Sequence, residues 1–336
     1  ASIDFTAPSW EGLHDNLHQV KNFKIGKRLV FQSRILREVI FNDWDCIILL
    51  GDPNVLSNWL AALIGKFRRI PVIYWSHGMY GNESLIKKTI SKKFLSLPDK
   101  IMLYGHWARK LLIDEKFDPD RLHVIYNSVN YEMSRSLREN AITPDFYQSY
   151  FKNTNLTLVF IGRLTRIKRL DVLIKAVHRL RLNGEAYNLM FIGDGEVKND
   201  LRKLADDLDI TAYFYGACYD ENKISKFIAN SALCVSPGNV GLTSIHAMSY
   251  GTPVCTNNDF KNQMPEFEAI KEWKTGCFFD KEKDNFAEVI SEWFKKSPDR
   301  LLVRKNCYSV VDNYYNPKVQ VEVLDSILND IFNKIP

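Results

Sequence analysis

Two basic residues at the start of a predicted helix could bind a phosphate group. Residues 162–168, Gly-Arg-Leu-Thr-Arg-Ile-Lys, follow an apolar β-type run and precede a segment with apolar residues every three or four positions, which predicts an α-helix. Gly162 ends the strand, and Arg163 and Lys168 stand at the entry to the helix, where the positive end of the helix dipole also favours an anion. The segment predicts that Arg163 and Lys168 form a pair of cations, here called the claw, that binds a diphosphate. A solvated basic turn would have the same composition.

A second candidate for phosphate binding lies further along the chain. An apolar strand-like run, residues 232–235, leads into a glycine-containing loop, and a short helix follows from about Leu242 to Gly251, which suits a C-terminal cap. N–H groups near Gly241 and Thr243 would point outward from a helix N-terminus, where backbone donors have no intrahelical partner. We expect these amides to contact the same diphosphate as the claw.

Together the two segments resemble the family 4 glycosyltransferases of the GT-B fold. That family carries G-R-x(4)-K in the first place and Glu-x(7)-Glu before A-M-x-x-G-x-P-V in the second, and residues 191–195 and 214–216 are also typical of its nucleotide-binding half. The resemblance covers Asp43 to about Phe294. It implies an α/β chain of two Rossmann-like, doubly wound parallel-sheet domains facing a cleft, with a C-terminal helix crossing back to the first. It also implies retaining transfer from a nucleoside-diphosphate sugar.

The resemblance further implies which residues act. Arg163 and Lys168 would stabilise the leaving diphosphate, because fixed cations need no reorganisation during the reaction. His77 follows the strand-like run Ile70–Trp75, and the family's histidine there lies beside the donor sugar; a loop histidine without a role is the alternative. Donor-binding residues would be Gly162, Asp194, Tyr215, Gly216, Gly238, Asn239, Val240, Gly241, Leu242, Thr243 and His246. Asp52 and His106 also follow strand-like runs and are acceptor-side candidates, with plain loop residues an equal alternative.

Two positions depart from the family. Counting back from Ala247 puts His246 where the second glutamate belongs and Gly238 where the first belongs. The family's first glutamate contacts donor-sugar hydroxyls and its second contacts the ribose hydroxyls. An imidazole can still bond a hydroxyl, so His246 could take the second role. Glycine has no side chain, so the first role is lost or passes to backbone amides or Asn239.

Apolar strand-like runs alternate with helical patterns along the chain, which favours doubly wound parallel sheets. The polar segment 132–153 lacks a strong apolar run and contains Pro144, so the domain junction is placed there. We predict a first domain at 1–147, a nucleotide-sugar-binding domain at 148–316, and a crossing helix at 317–336. The first domain should open with a strand, a glycine-rich turn and a helix, but residues 1–31 contain no such turn.

Composition limits the function classes. The chain has 336 residues, of which 46% are hydrophobic, enough for two ordinary domains. No apolar stretch is long enough to span a bilayer, and no signal peptide is evident. Six scattered cysteines predict free thiols in a reducing cytoplasm. No cofactor or metal site is expected: Asp43-Trp44-Asp45 matches an Asp-x-Asp pair, but it precedes its strand, so Asp43 and Asp45 are predicted turn residues.

A lysine-rich segment could contact an anionic membrane surface. Ile86, Ile90, Phe94 and Leu97 are predicted to form one helix face, flanked by lysines. Each lysine near an anionic leaflet adds about 1 kcal/mol of attraction. The alternative is an ordinary solvated helix that packs its apolar stripe on a core. The lysines are Lys87, Lys88, Lys92 and Lys93.

Three functions compete for this sequence. The first is a metal-independent, retaining hexosyl-type glycosyltransferase acting on a saccharide or lipid-linked acceptor, cytoplasmic and peripheral on the membrane. The second is a non-catalytic nucleotide-sugar-binding subunit, motivated by the missing glutamates. A nicotinamide dehydrogenase is set aside because Gly193-Asp194-Gly195 lacks the third glycine of its motif. No aromatic-studded basic groove or zinc pattern favours nucleic acid.

Overall fold

A computed structural model describes residues 20–296 and 299–333 of the chain. It contains two parallel-sheet α/β domains of Rossmann-like type, one built on six strands and one on four. The alternation of apolar strands and helices predicted this fold class, and the structure confirms it. The strand, glycine-rich turn and helix expected at the start of the first domain were predicted to be missing from residues 1–31. Most of that segment, residues 1–19, lies outside the described residues.

The larger sheet carries the second half of the chain. Its five strand pairs are all parallel, in the order β12-β11-β10-β7-β8-β9. β8 is buried along its whole length, since helices cover both faces of the sheet. The strands are β7 Leu156–Ile161, β8 Tyr187–Ile192, β9 Ala212–Gly216, β10 Leu233–Ser236, β11 Val254–Asn257 and β12 Gly276–Phe279.

The smaller sheet has the order β3-β4-β5-β6, and β3 and β4 run parallel. An antiparallel hairpin, β1 with β2, precedes it and turns at Gly26, whose φ of 65° suits glycine. The sequence patterns did not predict this hairpin. The strands are β1 Asn22–Ile25, β2 Leu29–Gln32, β3 Ile47–Leu50, β4 Val72–Ser76, β5 Lys100–Leu103 and β6 Leu122–Val124.

Helices connect the strands, and a long one ends the described chain. Asn316 caps this last helix by accepting hydrogen bonds from the N–H groups of Lys318 and Val319. Gln320 on the same helix donates to the carbonyl of Tyr126, so this helix lies beside the segment that follows β6. The helices are α1 Ser33–Phe41, α2 Leu56–Phe67, α3 Leu85–Leu95, α4 His106–Asp114, α5 Tyr131–Ala141, α6 Gln148–Phe151, α7 Leu170–Leu182, α8 Lys198–Asp207, α9 Glu221–Ala229, α10 Leu242–Ser249, α11 Phe286–Lys296, α12 Arg300–Tyr314 and α13 Pro317–Phe332.

Two segments show structure that the sequence patterns did not predict. The polar junction at 132–153 contains a helix, α5, anchored by paired hydrogen bonds from Arg138 to Asp312. The predicted stripe on α3 is divided: Phe94 is buried and stacks on Tyr74 at 4.5 Å, whereas Ile86 is 76% exposed. A periodic pattern marks one face of a helix, but the neighbouring elements decide how much of that face they cover.

The described chain divides into two compact units. One comprises residues up to Ser76 together with Ile86–Ile101, and the other comprises His77–Leu85 together with residues from Met102 onward. The smaller sheet ends before residue 148 and the larger sheet begins after it. The boundaries at 147 and 316 stay a prediction.

Candidate nucleotide-sugar site

The strand order of the larger sheet marks one place for a ligand. From β7 the chain winds outward through β8 and β9, and from β10 it winds the other way through β11 and β12. β7 and β10 are neighbours, so the direction of winding reverses between their carboxyl ends. Ligands of open α/β sheets bind at this reversal. The two predicted phosphate-binding segments are the loops that follow β7 and β10.

Lys168 joins these two loops. Its Nζ donates to the carbonyl oxygen of Asn239 at 2.8 Å and to the side-chain Oδ1 of Asn239 at 3.0 Å. The N–H of Gly238 in turn donates to the carbonyl of Lys168 at 2.9 Å. Burial lowers the pKa of Lys168 from its ordinary value. An ammonium has three donors, so one N–H of Lys168 remains for a ligand.

Gly238 is the position where the family's first glutamate would stand, and no side chain fits there. A Cβ at Gly238 would lie 2.0 Å from the carbonyl oxygen of Ile167 and 2.8 Å from Cα of Lys168. Both contacts are with backbone, so a side chain would have to displace the loop after β7. The loss of the glutamate therefore accompanies close packing of the two loops.

A buried glutamine braces the loop after β10. The side-chain oxygen of Gln263 accepts a hydrogen bond from the N–H of Val240 at 2.7 Å, and its side-chain nitrogen donates to the carbonyl of Asn257 at 3.0 Å. Gln263 is 3% exposed, so these bonds are shielded from water. Sequence reasoning missed this residue, since an isolated glutamine carries no pattern. The brace fixes the backbone immediately before α10.

The start of α10 presents free donors beside the claw. The N–H groups of Gly241, Leu242 and Thr243 have no acceptor in the described part of the chain. The hydroxyl of Thr243 donates to the carbonyl of Ile161 at 3.3 Å, which puts the first turn of α10 beside the end of β7. Arg163 follows two residues later and is exposed, and its side chain has no hydrogen-bond or ion-pair partner among the described residues.

The loop after β8 packs on the same edge. A Cβ at Gly193 would lie 1.9 Å from the carbonyl oxygen of Gly162, so this crossing requires glycine. Asp194, a predicted donor-binding residue, is engaged within its own loop: its carboxylate accepts from the N–H of Gly195 at 2.8 Å and from Nζ of Lys198 at 2.7 Å. The hydrogen bond from Lys198 lowers the pKa of Asp194.

His246, the replacement for the second glutamate, bonds a carboxylate on the neighbouring helix. Its Nε2 lies 2.6 Å from Oε1 of Glu221, and the hydroxyl of Tyr250 donates to the same oxygen at 2.6 Å. Burial raises the pKa of Glu221, but the bonds from His246 and Tyr250 outweigh it and hold the pKa below its ordinary value. Sequence reasoning missed Glu221. Tyr215 and Gly216, the other predicted pair, form the carboxyl end of β9, and the ring of Tyr215 packs on that of Phe227 with 4.7 Å between centroids.

The remaining predicted residues lie at strand ends. His77 directly follows β4, and its ring lies 4.6 Å from that of Tyr104. His106 opens α4 and shares a hydrogen bond of 2.8 Å between its Nε2 and the hydroxyl of Tyr126. Asp52 belongs to the other compact unit, and its carboxylate accepts from both nitrogens of Asn54, as a turn residue does.

Two glutamates that follow β11 also escaped sequence reasoning. Glu268 accepts the N–H groups of His106 and Trp107 at 2.7 and 2.6 Å and so caps α4. Glu266 is 2% exposed and accepts from Asn127 through Oε1, while its Oε2 is buried without a partner among the described residues. Burial raises the pKa of Glu266.

Neither a metal cluster nor a membrane span is found within residues 20–296 and 299–333. No three His, Cys, Asp or Glu side chains there are grouped to hold an ion. No helix in the same range is long and apolar enough to cross a bilayer. Asp43 of the Asp-x-Asp pair instead accepts a hydrogen bond from Arg68 at 2.9 Å.

Family comparisons agree with the geometry. The profile of the family described as "Glycosyl transferases group 1" matches residues 143–310, and that of "Glycosyltransferase Family 4" matches residues 7–133. The first match spans half of the chain. The chain belongs to the group 1 glycosyltransferases. The matched region includes both loops of the candidate site.

Related proteins match most of this chain at low sequence identity. An uncharacterised glycosyltransferase of Haemophilus influenzae is 26% identical over 265 residues, 77% of this chain and 68% of that protein. The alpha-monoglucosyldiacylglycerol synthase of Streptococcus pneumoniae is 23% identical over 309 residues, 84% of this chain and 66% of that protein. The aligned regions thus span about two thirds of these relatives.

Solved structures show the same architecture. HepE of Anabaena in complex with UDP superposes with a TM-score of 0.66 at 14% identity, covering 88% of this chain and 80% of that one. The lipopolysaccharide outer core galactosyltransferase WaaB in its apo form superposes with a TM-score of 0.67 at 15% identity, covering 90% of this chain and 79% of that one. Likeness at this identity establishes the GT-B fold, which the first sequence motifs predicted.

Proposed function

We propose that this chain transfers a hexosyl-type residue from a nucleoside-diphosphate sugar to an acceptor hydroxyl, with retention of anomeric configuration and without a metal cofactor. One observation carries the proposal. At the reversal of the larger sheet, the exposed Arg163, the half-buried Lys168 and the free amides of α10 surround one edge. Such donors stabilise negative charge that develops on a leaving diphosphate. The complex of HepE with UDP supports a nucleotide donor.

A panel of nucleotide sugars tests this function. Purified protein is incubated with UDP-, GDP- and ADP-linked hexoses and simple sugar acceptors, and release of the nucleoside diphosphate is followed by chromatography. We expect one donor to be consumed, slowly without acceptor and faster with it. Proton NMR of the product then reports the anomeric configuration. An inverted product would contradict retention, and a wild-type protein that neither binds nor cleaves any donor would contradict the whole proposal.

A non-catalytic nucleotide-sugar-binding subunit is the second candidate, and Gly238 favours it. The close packing at Gly238 leaves no room for a sugar-binding carboxylate. A subunit of this kind would bind a nucleotide sugar without cleaving it. Binding by calorimetry combined with an absence of hydrolysis over extended incubation would select this candidate.

We propose a saccharide or lipid-linked acceptor, reached from an anionic membrane surface through α3. Leu85, Ile86 and Ile90 are 83%, 76% and 46% exposed on this helix. The lysines that accompany them would be drawn to acidic lipids at low salt and released as salt screens them. The Streptococcus pneumoniae relative is named for a lipid product, which agrees with such an acceptor.

Vesicle pelleting measures this contact. We expect binding to phosphatidylserine vesicles at low salt and release at high salt, and loss of binding when Lys87, Lys88, Lys92 and Lys93 are changed to glutamate. A matched variant changes four exposed lysines elsewhere, namely Lys152, Lys175, Lys203 and Lys305. If unmodified protein stays in the supernatant at low salt, or if both variants behave alike, α3 is not a membrane contact.

A further inference from the structure

Glu221 is a charged side chain to which the proposed site assigns no role. It is the first residue of α9 and follows the carboxyl end of β9 by a short loop. Its Oε1 accepts two hydrogen bonds, from His246 and from Tyr250, both at 2.6 Å. The side chain is 25% exposed, so the carboxylate is fixed in place but still reaches solvent.

The second oxygen of this carboxylate is available. No described residue donates a hydrogen bond to Oε2 of Glu221. An ionised carboxyl group only accepts hydrogen bonds, and each oxygen has two lone pairs. The natural complement of Oε2 is a ligand that presents hydroxyl groups.

The position of Glu221 follows from its bond to α10. His246 and Thr243 are three residues apart on this helix, so they share a face, and about 5 Å of helix separates them along the axis. The N–H of Thr243 belongs to the free amides of the phosphate site. Glu221 therefore contacts α10 one helical turn beyond the residue that offers its N–H to a phosphate, and it follows β9 in the chain. In a nucleotide, the ribose places its hydroxyl groups about 5 Å from the phosphate, a distance similar to one helical turn.

We propose that Oε2 of Glu221 binds the 2′- and 3′-hydroxyls of the nucleotide ribose, with His246 and Tyr250 as positioning residues. This inference rests on the proposed function, since it needs a nucleotide at the phosphate site. Acidic side chains serve ribose hydroxyls in the same way in dinucleotide-binding folds. The carboxylate comes from α9, and the imidazole of His246 acts through it.

Nucleotides with and without ribose hydroxyls test the assignment. UDP, GDP and ADP are each compared with their 2′,3′-dideoxy forms by titration calorimetry, on wild-type protein and on Glu221→Gln. In the variant the amide oxygen must accept from His246 and Tyr250, which turns the amide nitrogen toward the ligand. We expect wild-type protein to prefer the ribonucleotide by about tenfold or more, the effect of a hydrogen bond to a charged group. The variant should lose this preference and bind the dideoxy form as wild type does.

Controls separate the two proposals. Glu288→Gln, on the exposed side of α11, removes one carboxylate far along the chain and should keep the wild-type preference. Glu221→Asp keeps the negative charge on a side chain that is one methylene shorter, and should give an intermediate preference for the ribonucleotide. This variant tests the assignment if Glu221→Gln does not fold. If Glu221→Gln or Glu221→Asp retains the full preference, or wild-type protein shows none, Glu221 is not a ribose ligand although the diphosphate site stands. Absence of any nucleotide binding by wild type would instead overturn the proposed function.

Discussion

Restoring a side chain at Gly238 should damage the site instead of repairing it. Family logic suggests that Gly238→Glu returns a sugar-binding carboxylate. In this structure its Cβ would lie 2.0 Å from the carbonyl oxygen of Ile167, whereas contacts below 3.0 Å are essentially never seen for a real Cβ. The loop after β7 or the loop after β10 must therefore move by about 1 Å or more, because crowded packing is relieved only by backbone shifts.

The size of the effect follows from the bonds at stake. Overpacking a close contact costs about 1–3 kcal/mol. The shift also strains the hydrogen bond from Gly238 to Lys168 and the two bonds from Lys168 to Asn239, each of which contributes about 1 kcal/mol. We expect Gly238→Ala to lower the free energy of unfolding by about 2 kcal/mol and Gly238→Glu by at least as much. Nucleotide affinity should fall together with stability, since the same loops hold the phosphate.

Denaturant unfolding and calorimetric titration with UDP, GDP and ADP measure these changes. Gly241→Ala is the steric control, because a Cβ there would meet Met264 at an ordinary 3.5 Å. Its unfolding free energy should stay closer to wild type than that of Gly238→Ala. The reasoning is refuted if Gly238→Ala unfolds like wild type, and more so if Gly238→Glu binds nucleotide sugars more tightly.

Three other outcomes are expected. Arg163→Ala and Lys168→Ala should each lower kcat by about 10²-fold, as removal of a preorganised charge stabiliser does. Arg163→Ala should leave Tm nearly unchanged because its side chain is exposed, whereas Lys168→Ala should also lower Tm because its two bonds to Asn239 are lost. Wild-type kinetics in either variant would disprove the assignment. EDTA should leave turnover nearly unchanged, because side-chain cations face the diphosphate, whereas loss on chelation and recovery with Mn²⁺ would show that a metal is needed. Glu266→Gln should stabilise the protein at neutral pH, because burial raises the pKa of the Glu266 carboxyl group. The protonated carboxyl of the wild type favours the folded state in acid, and this contribution is lost as the pH rises through the pKa that Glu266 has in the folded protein. Unfolding curves between pH 4 and 8 should show the gap between variant and wild type widening with pH, and a constant gap would count against this reading.

Local sequence patterns determined the fold class and the two loops of the candidate site. An apolar run followed by glycine and a helical repeat specifies a strand, a turn and a helix through short-range physics, so residues 156–182 and 233–249 could be placed from the sequence. The positions of Arg163, Lys168 and Gly241 followed from the same patterns. The sequence also shows that the family's two glutamates are absent, because Gly238 and His246 occupy their positions.

Tertiary structure alone decided what replaces them. The sequence places Glu221 and His246 25 positions apart, and only the packing of α9 on α10 brings Oε1 of one to Nε2 of the other. The need for glycine at Gly238 arises from the backbone at Ile167, a partner from another loop that no local pattern encodes. Burial of Phe94 against Tyr74 likewise depends on neighbouring elements. Periodicity fixes which residues share a face, whereas contacts between distant segments depend on how those faces pack.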